Sequence, residues 1–305
     1  MMLELVEVAP RDGLQNEARG LPVETKVELI RRLVDAGERR MEAVSFVSPR
    51  RVPQMAGAEQ VMSAVPRDAG VSYIGLVLNR RGVERAAGAR MDEINVVLPV
   101  TDAFSQRNQG KDLASMTDET AACVALGQQA GLLTTVTLAV AFGCPFEGEV
   151  PLEKVESVLS RVVDMGSDEI AFADTIGVGI PAQVRAMTAM FEKVAPERKL
   201  RFHFHNTRNT GYANALAALD AAPGRVVALD AAVGGFGGCP FAPNATGNIG
   251  TEDLLYALER GHDSAAAAID SRRLSDTAWW LSGELDSPVQ SLIPKAGGFP
   301  SWETN

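Results

Sequence analysis

The sequence predicts an α/β fold, a (β/α)8 TIM barrel with a C-terminal helical extension, and three observations carry that expectation. Short β-rich runs alternate with segments whose apolar residues return at helical spacing; eight such pairs follow one another; and the residues able to do chemistry stand at the C-terminal ends of the runs. Strict alternation requires parallel strands with crossover helices, and eight repeats close most naturally into a barrel. A doubly wound open sheet is the competitor. It usually carries a glycine-rich phosphate loop after its first strand, whereas positions 9–16 here read Ala-Pro-Arg-Asp-Gly-Leu-Gln-Asn.

The strands are expected at 3–8, 40–46, 72–78, 93–98, 134–141, 169–173, 200–205 and 226–233. The helices are expected at 23–36, 54–65, 80–89, 117–131, 151–166, 181–195, 210–221 and 251–261. Pro151 and Pro181 suit first helical positions, where a missing N–H costs nothing, and Gly37, Gly131 and Gly166 suit the left-handed residue that closes a helix. The barrel is expected over 1–262. Residues 263–305, with an alanine-rich stretch, the pair Trp279 and Trp280 and a Gly/Pro-rich end, are expected to form an accessory helix and tail.

Composition narrows the function. A formal charge of −10 and no Lys/Arg stretch argue against nucleic acid and acidic membrane surfaces as partners. Cys123, Cys144 and Cys239 are far apart and form no CxxC pair, so neither a disulfide framework nor a cysteine zinc site is expected, and a reducing cytoplasm fits. The N-terminus opens on a strand-like run without a basic and then apolar leader, and no 18-residue apolar stretch follows. Neither export nor a membrane span is expected.

His203 and His205 are two of only three histidines in the chain. On a strand, positions i and i+2 share a face, so the two imidazoles point one way and Phe202 and Phe204 the other. Converging neutral imidazoles suit one divalent ion, although for an isolated His-x-His two hydrogen-bonded rings are the commoner outcome. The rest of the rim decides. The barrel would gather Arg11 and Asp12 after strand one, Glu42 and Ser45 on strand two, Asn79 after three, Thr101 and Asp102 after four, Cys144 after five, Asp174 and Thr175 after six, and Asn248 after eight. Singly, each has a plain structural explanation as a turn pair, a helix cap or a partner for a core arginine. Around one pocket, an Asp, two His and an amide make an octahedral set with open positions.

The run Gly-Gly-Phe-Gly-Gly-Cys-Pro-Phe at 234–241 has four glycines in five positions, which allows a mobile, water-excluding loop with Cys239 at its tip. Beside a metal, that thiol could give or take a proton. A phosphate-cradling loop and a merely buried cysteine are the alternatives.

These residues bring out a resemblance. The segments Val-Glu-Val-Ala-Pro-Arg-Asp-Gly-Leu-Gln-Asn-Glu at 6–17, Ser-Phe-Val-Ser-Pro-Arg-Arg-Val-Pro-Gln-Met at 45–55, 138–148, Asp-Thr-Ile-Gly-Val-Gly at 174–179, the His-x-His strand, the loop 234–241 and Ala-Thr-Gly-Asn-Ile-Gly-Thr-Glu-Asp at 245–253 occur in this order. The chain thereby resembles the 3-hydroxy-3-methylglutaryl-CoA lyase family of metal-dependent TIM-barrel lyases. The resemblance implies that Asp12, His203, His205 and Asn248 hold a divalent cation, Mg²⁺ or Mn²⁺, that Arg11 sits over the reacting thioester, that Cys239 takes part in catalysis, and that Glu42 and Asp174 support the site. It implies an acyl-CoA substrate, a retro-Claisen cleavage and a homodimer. Condensing relatives such as isopropylmalate and homocitrate synthases share the Arg-Asp-Gly and His-x-His elements but lack the Gly-Gly-Cys-Pro loop, which favours cleavage here.

Gln15, Ser45, Asn79, Arg81 and Arg208 are the candidate contacts to the acyl-CoA. One departure bears on the substrate. The family more often continues its second metal histidine as Asp-Thr-Tyr-Gly, whereas this chain has Asn206, Thr207, Arg208 and Asn209. A neighbouring substrate such as citramalyl-CoA, which would release pyruvate, is therefore the alternative.

Overall fold

The computed structural model describes residues 2–67, 69–238, 247–260 and 268–299. Eight parallel strands, β1 (Met2–Glu7), β2 (Arg40–Ser45), β3 (Ser72–Val77), β4 (Glu93–Pro99), β5 (Leu133–Ala139), β6 (Glu169–Asp174), β7 (Lys199–Phe204) and β8 (Val226–Ala231), close in sequence order, β8 pairing with β1. Around them run α1 (Val23–Ala36), α2 (Ala58–Ala64), α3 (Arg80–Gly88), α4 (Asp102–Gln109), α5 (Leu113–Gln129), α6 (Leu152–Met165), α7 (Pro181–Val194), α8 (Gly211–Ala221), α9 (Thr251–Arg260), α10 (Ser271–Leu285) and α11 (Ile293–Ala296). This is the TIM barrel that the alternating pattern predicts.

The two faces of each strand do different work. Outward from β6 and β7, Phe172, Phe202 and Phe204 are buried against the helical layer, with Phe172 6.1 Å from Phe191 of α7 and Phe202 stacked 5.4 Å from Phe204. Inward, the floor of the barrel is ionic. Arg40 lies 2.6 Å from Glu93 and 2.9 Å from Glu169, and reaches Glu4 at 3.1 Å. Buried charges of opposite sign satisfy one another there and plug the barrel below the rim formed by the C-terminal strand ends.

Local chemistry explains where the elements depart from the sequence pattern. The second helix starts at Ala58 rather than 54, because Pro53–Met55 forms a separate 3-10 turn and Gly57 takes φ +83°. The polar helix α4 was not expected, since it has no apolar stripe to reveal it. α5 begins at Leu113, four residues early, where the Asp112 side chain accepts the Ser115 amide as an N-cap. β5 stops at Ala139 because Val140 turns to φ +54°, an uncommon conformation for a β-branched residue, with its amide donating to Thr175 Oγ1.

After the barrel, α10 buries Leu274, Ala278, Leu281 and Leu285 and packs on α1, where the Arg32 guanidinium lies 4.5 Å from the Trp280 ring. Beyond it, the Gln290 and Ser291 amides donate to the Gly234 carbonyl at the base of the loop after β8. No helix among the described residues is long and apolar enough to cross a membrane.

Candidate active site

The site is built on an irregular turn. After β1, Ala9–Gly13 forms a single π turn in which the Val8 carbonyl accepts the amides of Arg11, Asp12 and Gly13 at 3.2, 2.8 and 3.2 Å. Pro10 has no amide to place, and its fixed φ helps start the turn. Such turns recur at functional positions because they swing side chains off the ordinary helical path. Glu7 anchors this one, accepting the Ala9 amide at 2.8 Å together with the Val233 amide and the Thr251 hydroxyl.

The turn aims two side chains into the barrel mouth. Arg11 forks, with Nη1 donating to Asp12 at 2.5 Å and Nη2 to Glu42 at 2.5 Å. Asp12 Oδ2 accepts the Asn248 amide at 2.9 Å and lies 3.6 Å from His205 Nε2 and 3.9 Å from His203 Nε2. The two imidazole Nε2 atoms are 3.2 Å apart. His205 itself lies just past β7 and forms an isolated backbone bridge with Asn248, which holds the ligand candidates of strands seven and eight side by side.

Ligand atoms of Asp12, His203 and His205 all fall within 4.8 Å of one another. The donor set fits a divalent cation on an independent observation: Asn248 Oδ1 is buried with no hydrogen-bond partner among the described residues, while its Nδ2 donates to Asp12 and to the Phe236 carbonyl. An orphaned amide oxygen in a cluster of one carboxylate and two imidazoles is a ligand in waiting. Burial alone would raise the Asp12 carboxyl, but the Arg11 guanidinium, then the histidines, outweigh it and hold the group well below the usual carboxylate range. Burial opposes a charge on His203, yet the bond to Asp230 and the Asp12 charge leave its pKa raised.

The base of the loop after β8 comes within contact of this cluster. A Cβ on Gly237, which holds φ +105°, would lie 2.6 Å from Asn248 Nδ2 and 3.1 Å from the Asp12 carbonyl, so only glycine admits the approach. Asn16 donates through its side chain to the Gly238 carbonyl, tying the two loops together. Cys239 lies outside the described residues.

Other candidates separate by position. Glu42 supports Arg11 directly. Gln15 and Asn79 line the catalytic cavity of about 520 Å³, Asn79 also capping α3 by accepting the Gly82 amide. Ser45 is buried and its hydroxyl has no hydrogen-bond partner among the described residues. Asp174 faces its own loop, where its oxygens accept the Val178 and Gly179 amides. Arg81 is exposed in the first turn of α3, and Arg208 donates to the Ile176 and Gly177 carbonyls, clamping the loop after β6. The positive charge added by Arg208 is thus taken up by backbone carbonyls.

Sequence reasoning missed the layer beneath. Asp230 bridges His203 Nδ1 at 3.0 Å and the fully buried Arg201 Nε at 2.5 Å. Asn95 and Thr137 line the cavity on β4 and β5, beside Thr175, which the sequence already places at the rim. The available signal was a lone acid in the apolar run 226–233, and polar residues at the inward-facing positions of β4 and β5.

The HMGL-like family profile matches residues 2–279, and the chain belongs to that family. It is a carbon–carbon lyase. It is 41% identical over 303 residues to the (R)-citramalyl-CoA lyase of Chloroflexus aurantiacus, covering 96% of this chain and 94% of that one. It is 40% identical over 256 residues to the hydroxymethylglutaryl-CoA lyase of Pseudomonas mevalonii, covering 84% of each. Among solved structures it is similar to an HMG-CoA lyase from Acinetobacter baumannii in complex with coenzyme A and 3-methylmalate, with a TM-score of 0.91, 36% identity, and coverage of 100% of this chain and 98% of that one.

Proposed function

We propose that the protein cleaves 3-hydroxy-3-methylglutaryl-CoA to acetyl-CoA and acetoacetate by a retro-Claisen reaction. The observation that carries this reading is the Arg11 guanidinium, held between Glu42 and Asp12 beside the Asp12, His203 and His205 cluster in an open cavity. Breaking a carbon–carbon bond into a thioester enolate needs a fixed positive charge where the enolate oxygen develops. Mg²⁺ or Mn²⁺ held by Asp12, His203, His205 and Asn248 would supply Lewis-acid polarisation of the substrate oxygens.

The protein's own groups divide the remaining work. Asp12, ionised by its neighbours, is the base beside the 3-hydroxyl. Arg11 Nε is buried without a hydrogen-bond partner among the described residues, which leaves it as a donor for the thioester oxygen as the C2–C3 bond breaks. Thr175 Oγ1 already accepts the Val140 amide, so its hydroxyl proton is free for an acceptor such as the acyl carboxylate. On the family resemblance, Cys239 then protonates C2. Arg51 and Lys111 line the cavity and offer positive charge to the CoA phosphates, in keeping with the coenzyme A complex of the A. baumannii enzyme.

The near end-to-end similarity to a citramalyl-CoA lyase favours a second reading, (R)-citramalyl-CoA giving acetyl-CoA and pyruvate. Parallel incubation of metal-loaded protein with both thioesters decides: acetoacetate marks the first, pyruvate the second, and no acetyl-CoA from either overturns both. The same reading places the enzyme in the cytoplasm, on its three widely spaced cysteines, and as a homodimer, on the resemblance, which light scattering tests.

A further inference from the structure

Behind Arg11, a line of hydrogen bonds crosses the barrel interior. Thr137 Oγ1 donates to Asn95 Oδ1 at 2.7 Å, Asn95 Nδ2 donates to Glu42 Oε1 at 3.0 Å, and the other Glu42 oxygen receives Arg11 Nη2 at 2.5 Å. Asn95 and Thr137 are on neighbouring strands, are 3% and 9% exposed, and border the catalytic cavity. Donor and acceptor chemistry sets the direction of this line. An ionised Glu42 only accepts, so Asn95 must turn its NH₂ toward it; its oxygen then faces Thr137, whose hydroxyl must donate.

We infer that Thr137 and Asn95 are positioning residues for Arg11, acting through Glu42. Glu42 has no other hydrogen-bond donors among the described residues than Arg11 and Asn95, one for each oxygen. With Asn95 holding Oε1, the carboxylate plane cannot rotate, and Arg11 is kept split between Glu42 and Asp12 instead of collapsing onto one of them. Without Asn95, a buried carboxylate oxygen is left unpaired and the cheapest repair is for Arg11 to move toward it. Thr137 supports that orientation of Asn95: its hydroxyl donates to Oδ1, a bond that a flipped amide gives up while turning its oxygen against the Glu42 carboxylate. Side chains of β4 and β5 thus set the geometry of the Arg11 cation through β2.

The inference rests on the proposed lyase reaction for its kinetic test but not for its spectroscopic one. Thr137→Val is nearly isosteric and removes only the hydroxyl; Thr137→Ser restores it; Asn95→Leu breaks the line at its centre. On whichever of the two thioesters the wild type cleaves, Thr137→Val is expected to lower kcat about tenfold and Asn95→Leu about a hundredfold with KM within about twofold, and Thr137→Ser to recover most of the loss. In parallel, the guanidinium ¹⁵N–¹H signals of Arg11, assigned by their disappearance in Arg11→Gln, are expected to shift in Thr137→Val and Asn95→Leu and to return in Thr137→Ser. Arg11 signals unmoved in both breaking variants, or a change in KM alone, overturn the inference. A wild type that cleaves neither thioester overturns the proposed reaction, and the Arg11 signals then decide the positioning role by themselves.

Discussion

Asp230 Oδ2 lies 3.0 Å from His203 Nδ1. Asp230 holds its other oxygen on the buried Arg201, so it stays ionised and can only accept. His203 must therefore carry a proton on Nδ1 and turn its Nε2 lone pair toward Asp12 and His205. Asp230→Asn presents an amide that can donate to that nitrogen and disturb the tautomer. Mn²⁺ affinity, measured by titration calorimetry, is expected to fall about 10- to 100-fold. Unchanged affinity would show that His203 is oriented by something else.

Arg11→Gln removes the fixed cation and leaves Asp12, both histidines and Asn248 in place. Turnover is expected to fall about 100- to 1,000-fold with Mn²⁺ still bound. Near-normal turnover with bound metal would refute the role given to Arg11.

Two buried acids set a pH dependence of stability. Burial pushes Glu7 up to about 7 and Glu252 up to about 8, against the lowering pull of the amides they accept. A carboxyl whose folded pKa is raised binds its proton more tightly when folded, so its stabilisation is complete below the unfolded value near 4.5 and is lost as pH rises through the folded value. Because Glu7 and Glu252 hold the Val233 and Gly234 amides, the loss begins at the base of the loop after β8. Melting temperature should fall between about pH 4.5 and pH 8, and Glu252→Gln should flatten the upper part of that fall. A profile as steep in the variant as in the wild type contradicts this account.

Gly237→Ala forces a Cβ against Asn248 Nδ2 and strains a backbone at φ +105°. Stability is expected to drop by about 1–3 kcal/mol, read by denaturant melts, with weaker Mn²⁺ binding in the same variant. Gly88→Ala, where no atom lies within 4 Å of the added carbon and the residue is helical, is the control: Mn²⁺ binding should be unchanged and stability equal or higher by up to about 1 kcal/mol.

Strand number, strand order and the inward direction of His203 and His205 were legible because they follow from period: alternation along a strand and the βα repeat are properties of the chain itself. Arg11, Asp12 and Asn248 were legible as a group because a barrel brings strand ends to one rim, whatever its details. Asp230, Asn95 and Thr137 were not, since an inward polar residue on a parallel strand signals only that it needs a partner. Which partner it finds depends on the register of strands far apart in sequence, β8 against β7 and β4 against β5. The partners of Arg208 were hidden for the same reason: its charge was visible, but the carbonyls that accept from it belong to the loop after another strand. The sequence alone determined the barrel and the inventory of reactive groups. Only the tertiary structure decided how those groups are oriented, because orientation is set by bonds between strands and not along them.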